Sequence, residues 1–363
     1  MTSNMNVQEI KEIISPTFLL EKYKLNNEDI SFIDKSRKTI QNILNGTDSR
    51  LLVVVGPCSI HDYDSAIAYA KLLKECSYKN LFLVMRVYFE KPRSRTGWKG
   101  FIYDPNLDDS FDINKGLTLA RKLLLEITQL NIPIGCEFLD TISPQYLSDL
   151  VSWGAIGART SESQIHRQLA SGLSMPIGFK NLTSGDYNKA IDGIISASYS
   201  HNFLGIDEQG IVSQVITKGN KYGHLILRGG DVPNYYQCCI EDISRALEKE
   251  KITTGIIVDC SHGNSQKEYN RQILVALYVK RLRYLGYTLR GIMLESNIEM
   301  GNQKISSTMK KGVSITDACI NIDTTQKLLN ILNETIVYYP KTLSEIRTLI
   351  IILLKNSFVT KFL

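Results

Sequence analysis

The sequence predicts an α/β fold: a (β/α)8 TIM barrel with an N-terminal extension and an inserted β-hairpin. Three observations predict it. Eight short apolar, β-rich runs recur after residue 45, and most pairs of runs are separated by amphipathic, helix-compatible sequence. The runs end on polar or charged residues, as barrel strands do where they feed the loops of a catalytic face. The chain has 363 residues and 43% hydrophobic content, which suits one large domain with additions, and it shows no repeat or low-complexity linker that would separate a second.

Residues 1–45 read as a charged, helical extension with a part in interface formation or regulation. The first run, LLVVVG at 51, is followed by DSAIAYAKLLKEC; the second, LFLVMRV at 81, is followed by NKGLTLARKLLLEITQL. Both intervening segments carry the three-to-four residue apolar spacing of a helix lying on a sheet. IPIGCEF at 132, GAIGAR at 154 and MPIGFK at 175 supply the third to fifth strands. The connection before the sixth run is irregular: HNFLGIDEQGIVSQVIT (201–217) reads as two short strands around a turn, an inserted hairpin. HLILRG at 224, GIIVDC at 255 and GIMLES at 291 complete the set, so the catalytic barrel is expected over residues 46–335. Residues 336–363 form a C-terminal tail without an assigned role; its LIIILL (349–354) suits an extra packed helix, with a surface contact as the rival reading.

Composition excludes several classes. A net charge of +5 is modest for this length, so the basic stretch MRVYFEKPRSRTGWKG at 85 is a local concentration, and generic nucleic-acid binding is not favoured. Seven widely spaced cysteines, an odd number in a long chain, fit a reducing, cytoplasmic setting. The N-terminus has acidic residues and no apolar core of a signal, and no run approaches the roughly 20 residues of a membrane span.

The barrel expectation gathers chemistry at one mouth. Arg86, Lys91, Arg159, Lys180 and Arg228 come from five strand ends and would converge, which calls for an anion carrying phosphate and carboxylate. Each cation alone is better explained by a local acid or by water; five at strand ends are not. A second set, Cys58, His262, Glu295 and Asp317, mixes thiolate, imidazole and carboxylates and suits a divalent transition metal. Cys58 is equally readable as a small buried hydrophobe, and Cys58-x-x-His61 is a rival half-site. Cys136, Cys260 and Cys319 read as packed thiols, and Trp98 and Trp153 as core aromatics. Glycines beside these positions, Gly157 among them, would let backbone amides approach phosphate.

The motifs GPCSIHD, MRVYFEKPRSRTGWKG, DPNLDDSF, EFLD, SWGAIGARTSESQIHR, GFKN, LRGG, VDCSHGNS, ESNI, GNQ and SITDACI, in this order over roughly residues 45–325, resemble the class I 3-deoxy-D-arabino-heptulosonate 7-phosphate (DAHP) synthases. The resemblance implies condensation of phosphoenolpyruvate with erythrose 4-phosphate, the first step of the shikimate pathway toward the aromatic amino acids. It assigns Cys58, His262, Glu295 and Asp317 to one divalent metal ion, leaving manganese, iron, cobalt and zinc open. It places Arg86, Lys91, Arg159, Lys180 and Arg228, with the backbone of Gly157 and Ala158, on phosphoenolpyruvate. Arg93 and Ser94 fall on the aldose phosphate; the family commonly has threonine at the latter position, and serine keeps the hydroxyl.

Three catalytic roles are expected. His262 serves in the metal set, Lys91 donates a proton to the aldehyde oxygen with its pKa lowered by neighbouring cations, and Glu137 orients the water. The family also implies feedback by an aromatic amino acid and a homodimer or homotetramer. Gln145, Ser174, Phe203 and Gly205 match positions near its effector pocket, and FLGIDEQG resembles the tyrosine-sensitive branch. The rivals are a sister synthase using arabinose 5-phosphate and a non-catalytic phosphate- or nucleic-acid-binding protein.

Overall fold

The computed structural model describes residues 3–335, so the expectations for the tail at 336–363 lie outside the described residues. Two helices lead in, α1 (Pro16–Lys22) and α2 (Asn27–Asn45). The second starts on a capping box, in which Asn26 and Asp29 satisfy each other's backbone N–H, and stops at Gly46, which takes the left-handed conformation at φ 81°.

The barrel begins with β1 (Leu51–Gly56), α3 (Tyr63–Lys74), β2 (Leu81–Arg86), α4 (Ile113–Gln129), β3 (Ile134–Glu137), the short α5 (Pro144–Leu147), β4 (Trp153–Ile156), α6 (Gln164–Gly172), β5 (Ile177–Lys180) and α7 (Asn188–Ala197). Both segments expected to be helical after the first two runs are α3 and α4. The hairpin is β6 (Asn202–Ile206) and β7 (Val212–Ile216), paired antiparallel within the span expected for it. The barrel resumes with β8 (Gly223–Leu227), α8 (Gln237–Lys249), β9 (Ile256–Asp259), α9 (Gln272–Tyr284) and β10 (Leu289–Asn297), and the described chain ends with β11 (Ile320–Asn321) and α10 (Ile322–Asn333).

The strand order β1-β2-β3-β4-β5-β8-β9-β10 closes through a parallel β1–β10 pairing, so each of the eight expected runs is a barrel strand. Both faces of these strands are buried, which is why they read as continuous apolar runs without polar alternation. Along β1, Leu51, Val53 and Val55 pack outward against the helices, while Leu52 and Val54 point into an inner cluster with Val84, Trp153, Ile226, Ile257 and Met293. Ile40, Ile43 and Leu44 of α2 join that inner cluster and plug the N-terminal floor of the barrel. Part of the lead-in is thus barrel core. The hairpin turn packs on α1, where Thr17 N–H donates to Glu208 O at 2.7 Å.

Candidate active site at the barrel mouth

Closure brings the strand ends together. The β1–β10 register pairs Gly56 with Glu295, two residues before Cys58. A cavity of about 380 Å3 opens there, lined by Arg86, Lys91, Arg93, Glu137, Ala158, Arg159, Lys180, Arg228, His262 and Asp317 from the expected set. Gly157 sits beside it, where a Cβ would lie 2.7 Å from Glu137 Oε1, so a larger residue there would displace the Glu137 carboxylate.

The cations divide into two kinds. Arg86 is buried and donates to Glu295 Oε1 at 3.0 Å and to the backbone oxygens of Pro57 and Cys58, with its guanidinium 3.7 Å from the centre of the Tyr88 ring. Lys180 lies between Glu137 Oε2 and Asp259 Oδ2, each at 3.4 Å. Lys91 Nζ donates to Cys58 Sγ at 3.2 Å. For these three, local acids and a thiol supply the partner. Arg159 and Arg228 differ: Arg159 donates to Ser94 Oγ at 3.3 Å and Arg228 to Gly229 O at 3.2 Å, with no carboxylate paired to either among the described residues. These are the groups that an incoming anion would neutralise.

Cys58 Sγ, a Glu295 oxygen and an Asp317 oxygen lie within 4.8 Å of one another. His262 Nε2 adjoins them, 3.8 Å from Glu295 Oε1 and 3.9 Å from Asp317 Oδ2. Its Nδ1 faces Asp259 Oδ2 at 3.0 Å, although neither atom has an aligned hydrogen-bond partner. His262 is also held at φ 54°, in the left-handed region that non-glycine residues seldom adopt. Burial, with Glu295, pushes the Cys58 thiol up, so a thiolate there needs a cation beside it. One soft donor, one imidazole backed by a carboxylate, and two further carboxylates fit a divalent transition metal. The rival partner, His61, is outside this group.

The remaining electrostatics correct one expectation. Burial works against the Lys91 ammonium and Arg86 repels it, but Cys58, Glu295 and Asp317 outweigh both, so its pKa is raised. The expected lowering by neighbouring cations fails because Cys58, Glu295 and Asp317, from separate segments, together favour the ammonium more than burial and Arg86 disfavour it. Glu137 shows the reverse: burial alone would raise its carboxyl, but Lys180, Lys91, Arg86 and His262 hold it below the usual range. Glu295 is lowered in the same way against burial, chiefly by His262 and Arg86.

Several participants escaped the reading of the sequence. Asp259, the last residue of β9, is 1% exposed, and against burial His262 and Lys180 hold its carboxyl well below the usual range. The strand-end rule that picked out its neighbours applies equally to this residue, the sole charge in GIIVDC. Gln272 clasps the backbone of Glu295 from both sides, accepting from its N–H at 2.8 Å and donating to its carbonyl at 3.2 Å, while Ser261 Oγ donates to Glu295 Oε2 at 2.7 Å. No local signal marks these two. The expected effector positions lie apart from the mouth: Gln145 is on α5, Ser174 follows α6, and Phe203 and Gly205 lie on β6.

Comparison with known proteins agrees with this architecture. The family described as the DAHP synthetase I family matches residues 23–330. The tyrosine-sensitive phospho-2-dehydro-3-deoxyheptonate aldolase of Escherichia coli is 47% identical over 334 residues, covering 90% of this chain and 94% of the relative. The phenylalanine-sensitive enzyme of the same organism is 47% identical over 332 residues, covering 90% and 95%. A solved structure of a phospho-2-dehydro-3-deoxyheptonate aldolase from Francisella tularensis superimposes with a TM-score of 0.89 at 47% identity, covering 90% of this chain and 98% of that one.

Proposed function

The chain belongs to the DAHP synthetase I family, and from that premise we propose that it condenses phosphoenolpyruvate with erythrose 4-phosphate to give DAHP and phosphate. The observation that carries the reading is the meeting of Arg159 and Arg228, neither paired to a carboxylate among the described residues, with the Cys58, His262, Glu295 and Asp317 donor set around one cavity.

Arg159 and Arg228 take the phosphate and carboxylate of the enol ester, with Arg86, Lys91, Lys180 and the backbone of Gly157 and Ala158 closing around it. Arg93 and Ser94 hold the aldose phosphate. Cys58, His262, Glu295 and Asp317 hold one divalent ion, which when bound supplies Lewis acidity toward an aldehyde oxygen. The methylene carbon of phosphoenolpyruvate attacks the aldehyde carbon, and Lys91 Nζ, which its anionic neighbours keep protonated, gives a proton to the aldehyde oxygen. Water then adds at the enol carbon, oriented by the ionised Glu137. One water proton returns to Lys91 and the other goes to the phosphate, which leaves into the cation cluster as the bond from that carbon to the bridging oxygen breaks and the ketone forms.

Tyrosine is the proposed effector. The relatives do not separate the branches, since the tyrosine- and phenylalanine-sensitive enzymes are equally similar at 47% identity. Support comes from the resemblance of FLGIDEQG to the tyrosine-sensitive branch alone, since the space beside Gly205 is filled by the paired strand, where a Cβ would lie 2.8 Å from Val215 Cγ2. The chain is expected to work as a homodimer or homotetramer in the cytoplasm, and no described helix is long and apolar enough to cross a membrane.

A phosphate-release assay with both substrates tests the reading, before and after chelation, with metals and aromatic amino acids restored in turn. Turnover with erythrose 4-phosphate that chelation abolishes and a divalent metal restores is expected. Preference for arabinose 5-phosphate, or binding of both substrates without phosphate release, would overturn it. Inhibition by phenylalanine and not by tyrosine at equal concentration would overturn the effector assignment alone.

A further inference from the structure

The loop at residues 90–100, which carries Lys91, Arg93 and Ser94, is pinned at its base. Glu90 and Gly100 form an antiparallel bridge, and Lys91 N–H donates to Lys99 O at 2.9 Å. Gly100 is at φ 124°, and a Cβ there would overlap Phe89 O, so this closure depends on glycine. The Glu90 side chain is 3% exposed. Its Oε1 accepts from Asp140 N–H at 3.0 Å and from Tyr103 Oη at 3.4 Å; its Oε2 accepts from Leu139 N–H at 3.3 Å and from Ser143 Oγ at 3.1 Å. Four donors converge on one carboxylate, and all but Tyr103 belong to the turn that follows Glu137 at the end of β3.

We infer that Glu90 is a positioning residue for the reaction: it fastens the loop bearing Lys91, Arg93 and Ser94 to the β3–α5 turn and so holds the aldose-phosphate pocket at its working width. The inference rests on the proposed function, in that Arg93 and Ser94 must meet the aldose phosphate. Glu90 makes no direct contact with the cavity lining's anion-binding arginines; it acts through the backbone of the residue that follows it.

The fastening is sensitive to charge. Burial pushes the Glu90 carboxyl up to about 8, Asp140 adds to the effect, and the N–H groups of Asp140 and Leu139 and the Ser143 hydroxyl oppose it. Asp140 Oδ2 accepts from the same Tyr103 hydroxyl at 3.1 Å, so one proton stands between two carboxyl groups. Of the other titratable groups facing this point, Tyr103 is driven up by burial and by Glu90, and Cys136 on β3 by burial and by Glu90, so neither ionises first. Ionising Glu90 therefore places a buried negative charge beside the half-buried Asp140 carboxyl, with no cation paired to Glu90 among the described residues. A carboxyl raised in the folded state contributes stability that is fully present below its ordinary pKa of about 4.3 and is lost as pH rises through the folded value, so the fastening weakens toward alkaline pH.

Steady-state kinetics with each substrate varied separately, across neutral to alkaline pH, test the inference. For the native chain, KM for erythrose 4-phosphate should rise about tenfold between about pH 7 and about pH 9, following the protonated fraction of one acid. Glu90→Gln, which keeps shape and one acceptor without the charge, should flatten that rise. Glu90→Ala should raise the same KM about tenfold at every pH while KM for phosphoenolpyruvate moves less, since Arg86, Lys180 and Arg228 stand on segments outside this loop. An alkaline rise in Glu90→Gln equal to that of the native chain overturns the inference; so does an unchanged KM in a folded Glu90→Ala. Arg93→Ala separates the two claims: if it leaves KM for erythrose 4-phosphate unchanged, the loop's substrate role fails and the inference falls with it.

Discussion

The floor and the mouth of this barrel are built on the same strands and obey opposite rules. At the floor, Ile40, Ile43 and Leu44 of α2 meet Leu52 and Val54 in a dry apolar plug. A few residues further along each strand, Arg86, Glu137, Lys180, Asp259 and Glu295 are all at most 8% exposed. Burying ions is costly unless each is paired, and the mouth complies through a chain of contacts running from Arg86 to Glu295 to His262 to Asp259 to Lys180 to Glu137. The difference teaches where stability and chemistry are separated: the floor contributes by area removed from water, whereas the mouth holds charges in paired positions and leaves Arg159 and Arg228 with no carboxylate partner among the described residues.

The sharpest way to break this comparison is to remove one mouth donor and one floor methyl cluster and read activity and stability side by side. Cys58→Ala should lower turnover by on the order of a thousandfold or more and reduce bound metal, with little change in the urea-unfolding midpoint. Turnover and metal content at native levels would remove the thiol from the site. Ile43→Ala should do the converse, costing about 2–5 kcal/mol of stability by leaving a cavity while turnover per folded molecule stays within about twofold. A large loss of turnover in that variant would show that the floor shapes the site as well as supporting it.

The smallest expected effect sharpens the electrostatic half of the contrast. Because Glu137 is held below its ordinary range, it contributes stability that is present above about pH 4.3 and lost as pH falls through the folded value. Glu137→Gln should therefore unfold with a shallower dependence on acid than the native chain. The floor variant should keep the native acid slope, since the plug residues carry no titratable group. Identical acid slopes in all three proteins would mean that the mouth pairs add no stability of their own.

Legibility in the sequence followed the range of the signal. Strands whose two faces are buried announce themselves as apolar runs, so all eight were readable, as was the hairpin with its short strands around a turn. Strand ends were readable as well, and with them most of the mouth. Asp259 obeys the same rule, but a buried strand-end carboxylate carries no distinctive ligand chemistry beside Cys260 and His262. Gln272 and Ser261 were missed for a physical reason: their role is to hold Glu295 from neighbouring segments, and nothing in their local surroundings requires a glutamine or a serine.

By itself, then, the order of amino acids determined which segments become strands, that they form one closed barrel, and which ionisable groups stand at its rim, because backbone pleat and strand direction make these local or periodic matters. Only the folded chain decided how those groups pair. Closure through β1 and β10 set Arg86 on Glu295, left Arg159 and Arg228 without a paired carboxylate among the described residues, and placed enough negative charge around Lys91 to raise its pKa. Coulomb interactions depend on distance in space and on solvent exclusion, and neither is written in the spacing of residues along a chain.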